Sequence, residues 1–284
     1  MNVIIGMIVV LVCVMGGFMI EKGNLSVIIQ PVEVLIIFGA AIGGLIISTP
    51  MKMLKHVIKG LGGIFKPKSF DKKKYIEVLT LLYEIFSKMR KEGIIAIESD
   101  VDEPAKSTIF KRYPAIVTNH RTLMFICDSL KILLTIDIQS HEFDNLLEVD
   151  IDANTEEDMH PYHRVNKMAD SLPGLGIVAA VLGVVITMGA INEPPEVLGH
   201  HVAVALVGTF LGVLMCYGFI GPMATLMEHY VKEEAAYYQV IRIALVSFVA
   251  RSTPQIAIEF ARRAIPESER PGFEELEKIL KGKK

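Results

Sequence analysis

Four long stretches of this 284-residue sequence lack any Asp, Glu, Lys or Arg, and they comprise residues 2–20, 34–51, 171–192 and 202–227. A bilayer core about 30 Å thick is crossed by about 20 apolar residues in a helix, so each stretch predicts a transmembrane helix. Ion pathways commonly depend on an ionisable group near the centre of the bilayer. If the protein handles ions, the absence of such a group from all four stretches predicts that another chain supplies the carboxylate.

Other absences exclude several classes of function. The three cysteines, Cys13, Cys127 and Cys216, are scattered, which argues against a disulfide framework and against a metal site. A net charge of −3 lacks the basic excess that nucleic-acid binding requires. The sequence has no G-x-x-x-x-G-K-[ST] loop, no dinucleotide fingerprint after a strand and no H-E-x-x-H motif. We therefore expect a protein that is not an enzyme, needs no cofactor and does not bind nucleic acid.

Charged residues are gathered into blocks, because a mean hydropathy of +0.44 coexists with 29 basic and 32 acidic residues. The segment after the second stretch contains five lysines: Lys52, Lys55, Lys59, Lys66 and Lys68. The loop after the first stretch has only Lys22, and the loop after the third has no basic residue. Since basic loops stay in the cytoplasm, we expect the middle segment, the C-terminal tail and both termini to be cytoplasmic.

The predicted fold is an all-α integral membrane protein with four transmembrane helices and a helical cytoplasmic domain. Its expected division is two spans in 1–51, a cytoplasmic domain in 52–170, two spans in 171–227 and a cytoplasmic helical tail in 228–284. Apolar residues at three-four spacing predict an amphipathic helix that ends near Gly93: Tyr75, Val78, Leu79, Leu82, Ile85, Phe86 and Met89. A second helix is expected over 119–147. The eight acidic residues of 142–158 suggest a solvated helix end and linker, or alternatively a charge sensor.

Small residues line one face of each of the last two stretches. These faces comprise Pro173, Gly176, Ala180, Gly183 and Thr187 on one helix, and Ala205, Gly208 or Thr209, Gly212 and Cys216 on the other. Small residues allow helices to approach closely in lipid, and Gly208 and Gly212 form a G-x-x-x-G step. The faces could pack against each other within the chain, or they could form a narrow pore or a cleft for a partner helix.

Two prolines are expected near the cytoplasmic side of the membrane. Pro173 lies at the start of its stretch, where proline is tolerated as a simple helix start. Pro222 lies inside its stretch, removes a backbone hydrogen bond and favours a kink. It is therefore predicted to be a hinge between the membrane and the tail.

Four long motifs, in order along the chain, resemble the motility protein A (MotA) family of bacterial flagellar stators. They are QPVEVLIIFGAAIGG at 30–44, DSLPGLGIVAAVLGVV at 170–185, ALVGTFLGVLMCYGFIGP at 205–222 and IAIEFARRAIPESERPGFEELE at 256–277. The resemblance extends from the N-terminus to about residue 280. It implies a ring-forming homo-oligomer, a pentamer, in the bacterial inner membrane. The ring would surround a dimer of MotB, whose single spans carry the proton-accepting aspartate.

The resemblance also implies roles for individual residues. Pro173 and Pro222 match the prolines that couple ion passage to movement of the cytoplasmic domain, and Thr209 matches a threonine that lines the ion route. In SKMRKEGIIAIESD at 87–100, Arg90 and Glu98 match the charged pair that engages the rotor protein FliG.

The transported ion is expected to be a proton. Sodium-driven relatives resembling PomA carry threonine at the position of Ala180, and sodium needs several oxygen ligands, as other hard cations do. Thr187 and Thr209 provide few hydroxyls at depth. The alternatives are a sodium-driven stator, an energy-transducing ring of the ExbB or TolQ type, and a non-conducting membrane scaffold.

Overall fold

The computed structural model describes residues 2–65 and 70–282, so Lys66 and Lys68 lie outside the described residues. Within these ranges every regular element is a helix. The α-helices are α1 Asn2–Ile20, α2 Leu25–Ile28, α3 Pro31–Ser48, α4 Met51–Gly63, α5 Lys72–Glu92, α6 Glu98–Asp102, α7 Pro114–Thr118, α8 His120–Thr135, α9 Ser140–Gly189, α10 Pro195–Leu214, α11 Gly221–Val249, α12 Pro254–Ala264 and α13 Phe273–Lys281.

The chain divides into two compact units. One contains Met1–Pro67 and Asp158–Tyr230, and the other contains Lys68–Glu157 and Val231–Lys284. Among the described residues, four helical segments are long and apolar enough to cross a membrane, and the first unit contains their apolar parts. The prediction of four spans is confirmed. The boundaries expected at 170 and 227 fall inside the continuous helices α9 and α11.

Local sequence explains where the membrane helices begin and end. α3 starts with Pro31 at its first position, where the missing N–H removes no hydrogen bond. It stops at Thr49, because the residue before Pro50 is disfavoured in the helical region. α1 is apolar on all sides and has no residue buried by the rest of the chain, which suits a helix surrounded by lipid.

α9 and α10 pack through glycines at nearly backbone-to-backbone distance. A Cβ atom at Gly176 would lie 2.7 Å from the carbonyl oxygen of Gly208 and 3.2 Å from Cα of Gly212. A Cβ at Gly212 would lie 2.5 Å from the carbonyl oxygen of Leu172, and one at Gly183 would lie 2.7 Å from Cβ of Ala205. Because backbone atoms or a short side chain fill these positions, a larger residue would force the helices apart.

The two prolines occupy different environments. Pro173 lies inside α9, which also contains Pro161, so the interpretation of Pro173 as a helix start is wrong. Pro222 follows a π-helical turn at Met215–Ile220, where the N–H of Gly221 bonds to the carbonyl of Cys216 five residues back. The wider turn shifts the hydrogen-bond register just before the residue that has no N–H to donate.

The second unit is built around α5, and its amphipathic prediction is confirmed. Asp71 caps the helix by accepting a hydrogen bond from the N–H of Lys74, and Gly93 ends it with a φ of 93° that favours glycine. All seven predicted stripe residues are buried. Phe86 stacks on Phe248 of α11 with ring centroids 4.3 Å apart.

Burial also raises the pKa of the Cys127 thiol in α8 to about 12, which leaves this thiol as an unreactive packing group.

The helix predicted over 119–147 is interrupted. Asn119 caps α8, but α8 ends at Thr135, and Ile136 adopts an extended conformation. The chain then re-enters a helix at α9, so the prediction of one helix is wrong.

The acidic run of 142–158 is helical throughout, and the linker interpretation is also wrong. Between the acidic residues, Phe143, Leu147 and Ile151 recur at four-residue spacing and are buried. Asp144 and Glu148 pair with Arg242 of α11 at 2.6 and 3.2 Å. The run is therefore the polar side of an amphipathic helix.

A buried carboxylate fixes the turn between α5 and α6. Asp100 is 6% exposed, and its Oδ2 accepts a hydrogen bond from Nζ of Lys88 at 2.7 Å. Its Oδ1 accepts one from Oγ of Ser107 at 2.5 Å, and the same Oγ accepts from the N–H groups of Ile109 and Phe110. The network joins α5, α6 and the segment that follows.

We predict that Asp100→Ala lowers the free energy of unfolding by about 1.5 to 3 kcal/mol, the range for hydrogen bonds to a charged group. The matched control is Asp102→Ala. Asp102 is 60% exposed and pairs with Lys131 at 3.3 Å, so we expect a loss of at most about 1 kcal/mol. Thermal unfolding in detergent, followed by circular dichroism, measures both. Equal losses would contradict the assigned role of Asp100.

We also predict that Gly176→Ala destabilises the α9–α10 contact by about 1 to 3 kcal/mol, because the added methyl group meets backbone atoms. Gly174→Ala is the control, since a Cβ there has nothing within 4 Å. Helix propensity alone makes that control neutral or slightly stabilising. The same melting assay compares the two variants, and a Gly176→Ala protein as stable as the Gly174→Ala protein would rule out the close contact.

Candidate functional site

The α9–α10 crossing brings together two of the predicted ion-pathway residues. The backbone nitrogen of Ala180 lies 3.2 Å from the position of a Cβ at Gly208. Cα of Thr209 lies 3.3 Å from the position of a Cβ at Gly176. Both Ala180 and Thr209 are half-buried in the chain, so part of each remains open to a neighbouring helix. Ala180 and Thr209 therefore both border the same helix crossing.

Thr187 lies about two turns of α9 beyond Ala180. It is buried, and its Oγ1 donates a hydrogen bond to the carbonyl oxygen of Gly183 at 2.8 Å. The donor capacity of this hydroxyl is thus used within its own helix. The oxygen keeps lone pairs that can accept from another group.

A carboxyl group that was not among the predicted site residues also lies at the crossing. Glu33 of α3 is 5% exposed, and its Oε2 lies 3.0 Å from the position of a Cβ at Gly208. This oxygen has no hydrogen-bonding partner in the described part of the chain. The candidate span that contains α3 is Leu25–Ser48, so Glu33 lies within it. The prediction that the spans carry no ionisable group is wrong for this helix.

The error came from placing the start of the span at Val34 because Glu33 is charged. A helix-start signal was present in the sequence, since proline favours the first turn and acidic residues follow it there. Pro31 and Glu33 fit that pattern. This helix-start pattern places the beginning of the helix before Glu33.

Arg90 and Glu98 lie in the other compact unit, and both are exposed. Arg90 is in the last turn of α5, and Glu98 is the first residue of α6. Between them, Gly93 and a 3₁₀ turn at Ile94–Ile97 reverse the chain, and Ile97 is fully buried. The network of Asp100 holds this turn, so the two charges are presented from a fixed backbone.

The two predicted hinge prolines are placed differently with respect to solvent. Pro173 is half-buried in α9, whereas Pro222 is exposed at the start of α11.

Among the described residues, no group of three His, Cys, Asp or Glu side chains is arranged to hold a metal ion.

Two family models match the sequence. Residues 4–93 match the motility protein A N-terminal model, and residues 122–240 match the MotA/TolQ/ExbB proton channel family. The chain is 37% identical over 284 residues to motility protein A of Escherichia coli, which covers 100% of this chain and 96% of that protein. It is also 37% identical over 280 residues to chemotaxis protein LafT of Vibrio parahaemolyticus, with 99% and 98% covered.

Two solved structures have the same fold. MotAB of C. jejuni aligns with a TM-score of 0.78 at 18% identity, over 96% of this chain and 98% of that one. The flagellar MotAB stator complex of Bacillus subtilis aligns with a TM-score of 0.75 at 20% identity, over 95% and 98%. The chain is 37% identical over its full length to motility protein A of Escherichia coli and has the four-span helical fold. It therefore belongs to the motility protein A family.

Proposed function

We propose that this protein is the ring-forming subunit of a flagellar stator in the bacterial inner membrane. It would conduct protons together with MotB and convert the flow into torque on the rotor. The observation that supports this most directly is the close α9–α10 crossing, which offers Ala180 and Thr209 to a neighbouring helix in a chain related over its full length to motility protein A.

The proposed partner is a dimer of MotB, enclosed by a ring of five copies of this chain with both termini in the cytoplasm. The two solved structures described above are of MotAB, which supports MotB as the partner. Apolar side chains of α9 and α10 that the chain itself does not bury, such as Val181 and Leu206, leave surface for other copies or for the partner.

The proposed cycle starts when a proton from outside neutralises the MotB aspartate beside the α9–α10 crossing. Neutralisation releases the hold of that aspartate on one subunit, and the ring steps. One charge crossing 100 mV releases about 2.3 kcal/mol, enough to bias a two-state helix rearrangement. Pro173 and the π turn before Pro222 are the proposed sites of that rearrangement, because both interrupt the regular hydrogen-bond ladder.

Protons suit the crossing better than sodium does. Ala180 contributes a methyl group and no oxygen, and Thr187 already donates its hydroxyl within α9. A sodium ion would need several oxygen ligands in the same place.

A ring of the ExbB or TolQ type belongs to the same proton channel family, but the match of residues 4–93 to the motility protein A N-terminal model favours a motor role.

We predict that the chain restores swimming to cells lacking their own motility protein A, provided that its cognate MotB is co-expressed. Because protons are the proposed ion, swimming should persist in sodium-free medium and stop with a protonophore. Proton flux into membrane vesicles should likewise require both chains. Swimming that follows external sodium would overturn the choice of ion, and proton flux through this chain alone would overturn the role of MotB.

We also predict that Arg90→Glu abolishes swimming and that a compensating charge on FliG partly restores it, because charge complementarity sets the register of such contacts. Lys91→Glu is the matched control, since it makes the same charge change at the neighbouring exposed position of α5. Swimming speed in soft agar and single-motor rotation measure both. An Arg90→Glu strain that swims normally would remove this residue from the rotor contact.

A further inference from the structure

A buried carboxyl group lies at the α9–α10 crossing and has no role in the cycle described above. The Glu33 side chain is buried, with only 5% of the residue exposed, and its Oε2 has no hydrogen-bonding partner in the described part of the chain. Buried polar groups almost always have partners, and a buried, unpaired carboxylate is very costly. Ionisable side chains inside a membrane span are rare and mark ion pathways and proton relays.

The carboxyl group lies within the apolar part of the membrane unit. Glu33 is in the first turn of α3, and its Oε2 lies beside Gly208, six residues or about 9 Å into the charge-free stretch 202–227. The same glycine adjoins Ala179 and the backbone of Ala180. The carboxyl is thus at the level of the crossing and next to the residues that the proposed pathway uses.

Besides Glu33, the residues that adjoin Gly208 are Ala179 and Ala180. The stretches 171–192 and 202–227, which contain these residues and Gly208, have no Asp, Glu, Lys or Arg to pair with the carboxyl group. The titratable groups nearest along α10 are His200 and His201, eight and seven residues before Gly208 and therefore about two turns away. The surroundings therefore favour an acid that carries a proton over a fixed carboxylate paired with a cation.

The absence of a side chain at Gly208 also leaves room for this carboxyl group. A Cβ at this position would lie 3.0 Å from both Oε2 of Glu33 and Cβ of Ala179. Glycine therefore leaves space on α10 that the carboxyl group and α9 share. The first G of the G-x-x-x-G step accommodates an acid from α3, whereas Gly212 accommodates the backbone of α9.

We infer that Glu33 is a second proton-binding site, contributed by every copy of this chain, which passes protons to the MotB aspartate. This inference rests on the proposed function. In each transfer, the O–H bond of the Glu33 acid breaks and an O–H bond forms on the MotB carboxylate. The negative charge moves from MotB to Glu33, and a proton from the outer solution then restores the acid. The pathway needs no reactant other than the proton.

The first experiment tests proton binding without MotB. The full chain in liposomes is treated with dicyclohexylcarbodiimide, which reacts with protonated carboxyl groups in apolar surroundings, and modified peptides are identified by mass spectrometry. We expect modification at Glu33 that declines as pH rises, and none at Glu196, an exposed glutamate in the first turn of α10. Absence of modification at Glu33 throughout the neutral range overturns the proposal.

The second experiment tests proton transfer in the complete stator. Glu33→Gln keeps the size of the side chain and removes the exchangeable acid, so motor speed should fall on the order of 100-fold, the lower end of what a positioned proton-transfer group contributes. Glu33→Asp keeps an acid and should recover part of the speed. Glu196→Gln should rotate at the wild-type rate.

Co-purification of MotB reports whether each variant assembles. A Glu33→Gln stator that assembles and rotates at the wild-type rate overturns the proposal. If Glu33→Gln fails to assemble, the carbodiimide result on the wild-type chain decides. Failure of the wild-type chain to drive swimming with MotB would instead count against the proposed function, and the labelling of Glu33 would still be read independently.

Discussion

The close contact between α9 and α10 is the constraint on which the membrane unit depends. Lipid gives no hydrophobic drive for helices to associate, so their association depends on dispersion between surfaces that fit closely. Gly176 and Gly212 allow backbone atoms of one helix to occupy the space where the other would have a side chain. The positions of Ala180 and Thr209 follow from that distance of approach, and the carboxyl of Glu33 lies beside the same crossing.

Two helices contribute residues to both compact units. α9 extends through the boundary at 157/158 and α11 through the boundary at 230/231. Each has a proline within or near its apolar part, and α11 is preceded by a π turn. In the second unit, α5 and the network of Asp100 fix the turn that carries Arg90 and Glu98.

Much of the fold could be predicted because its determinants are local. Charge-free length identifies a span, and three-four spacing identified α5 together with its stop at Gly93. The break at Ile136 and the helical acidic run could not be predicted from charge alone. The acidic residues of 142–158 are helical because Phe143, Leu147 and Ile151 enter a core and because Arg242, almost one hundred residues away, pairs with Asp144 and Glu148.

The sequence by itself determined the number of spans, the small-residue faces and the family, since each depends on residue type and spacing along the chain. Only the tertiary structure decided which groups meet at the crossing. Glu33 is separated from Gly208 by 175 positions and carries a charge that suggests an exposed loop. Its burial follows from packing of α3 against α10, where a glycine leaves room for a carboxyl group. Such contacts between distant segments have no local signal in the sequence.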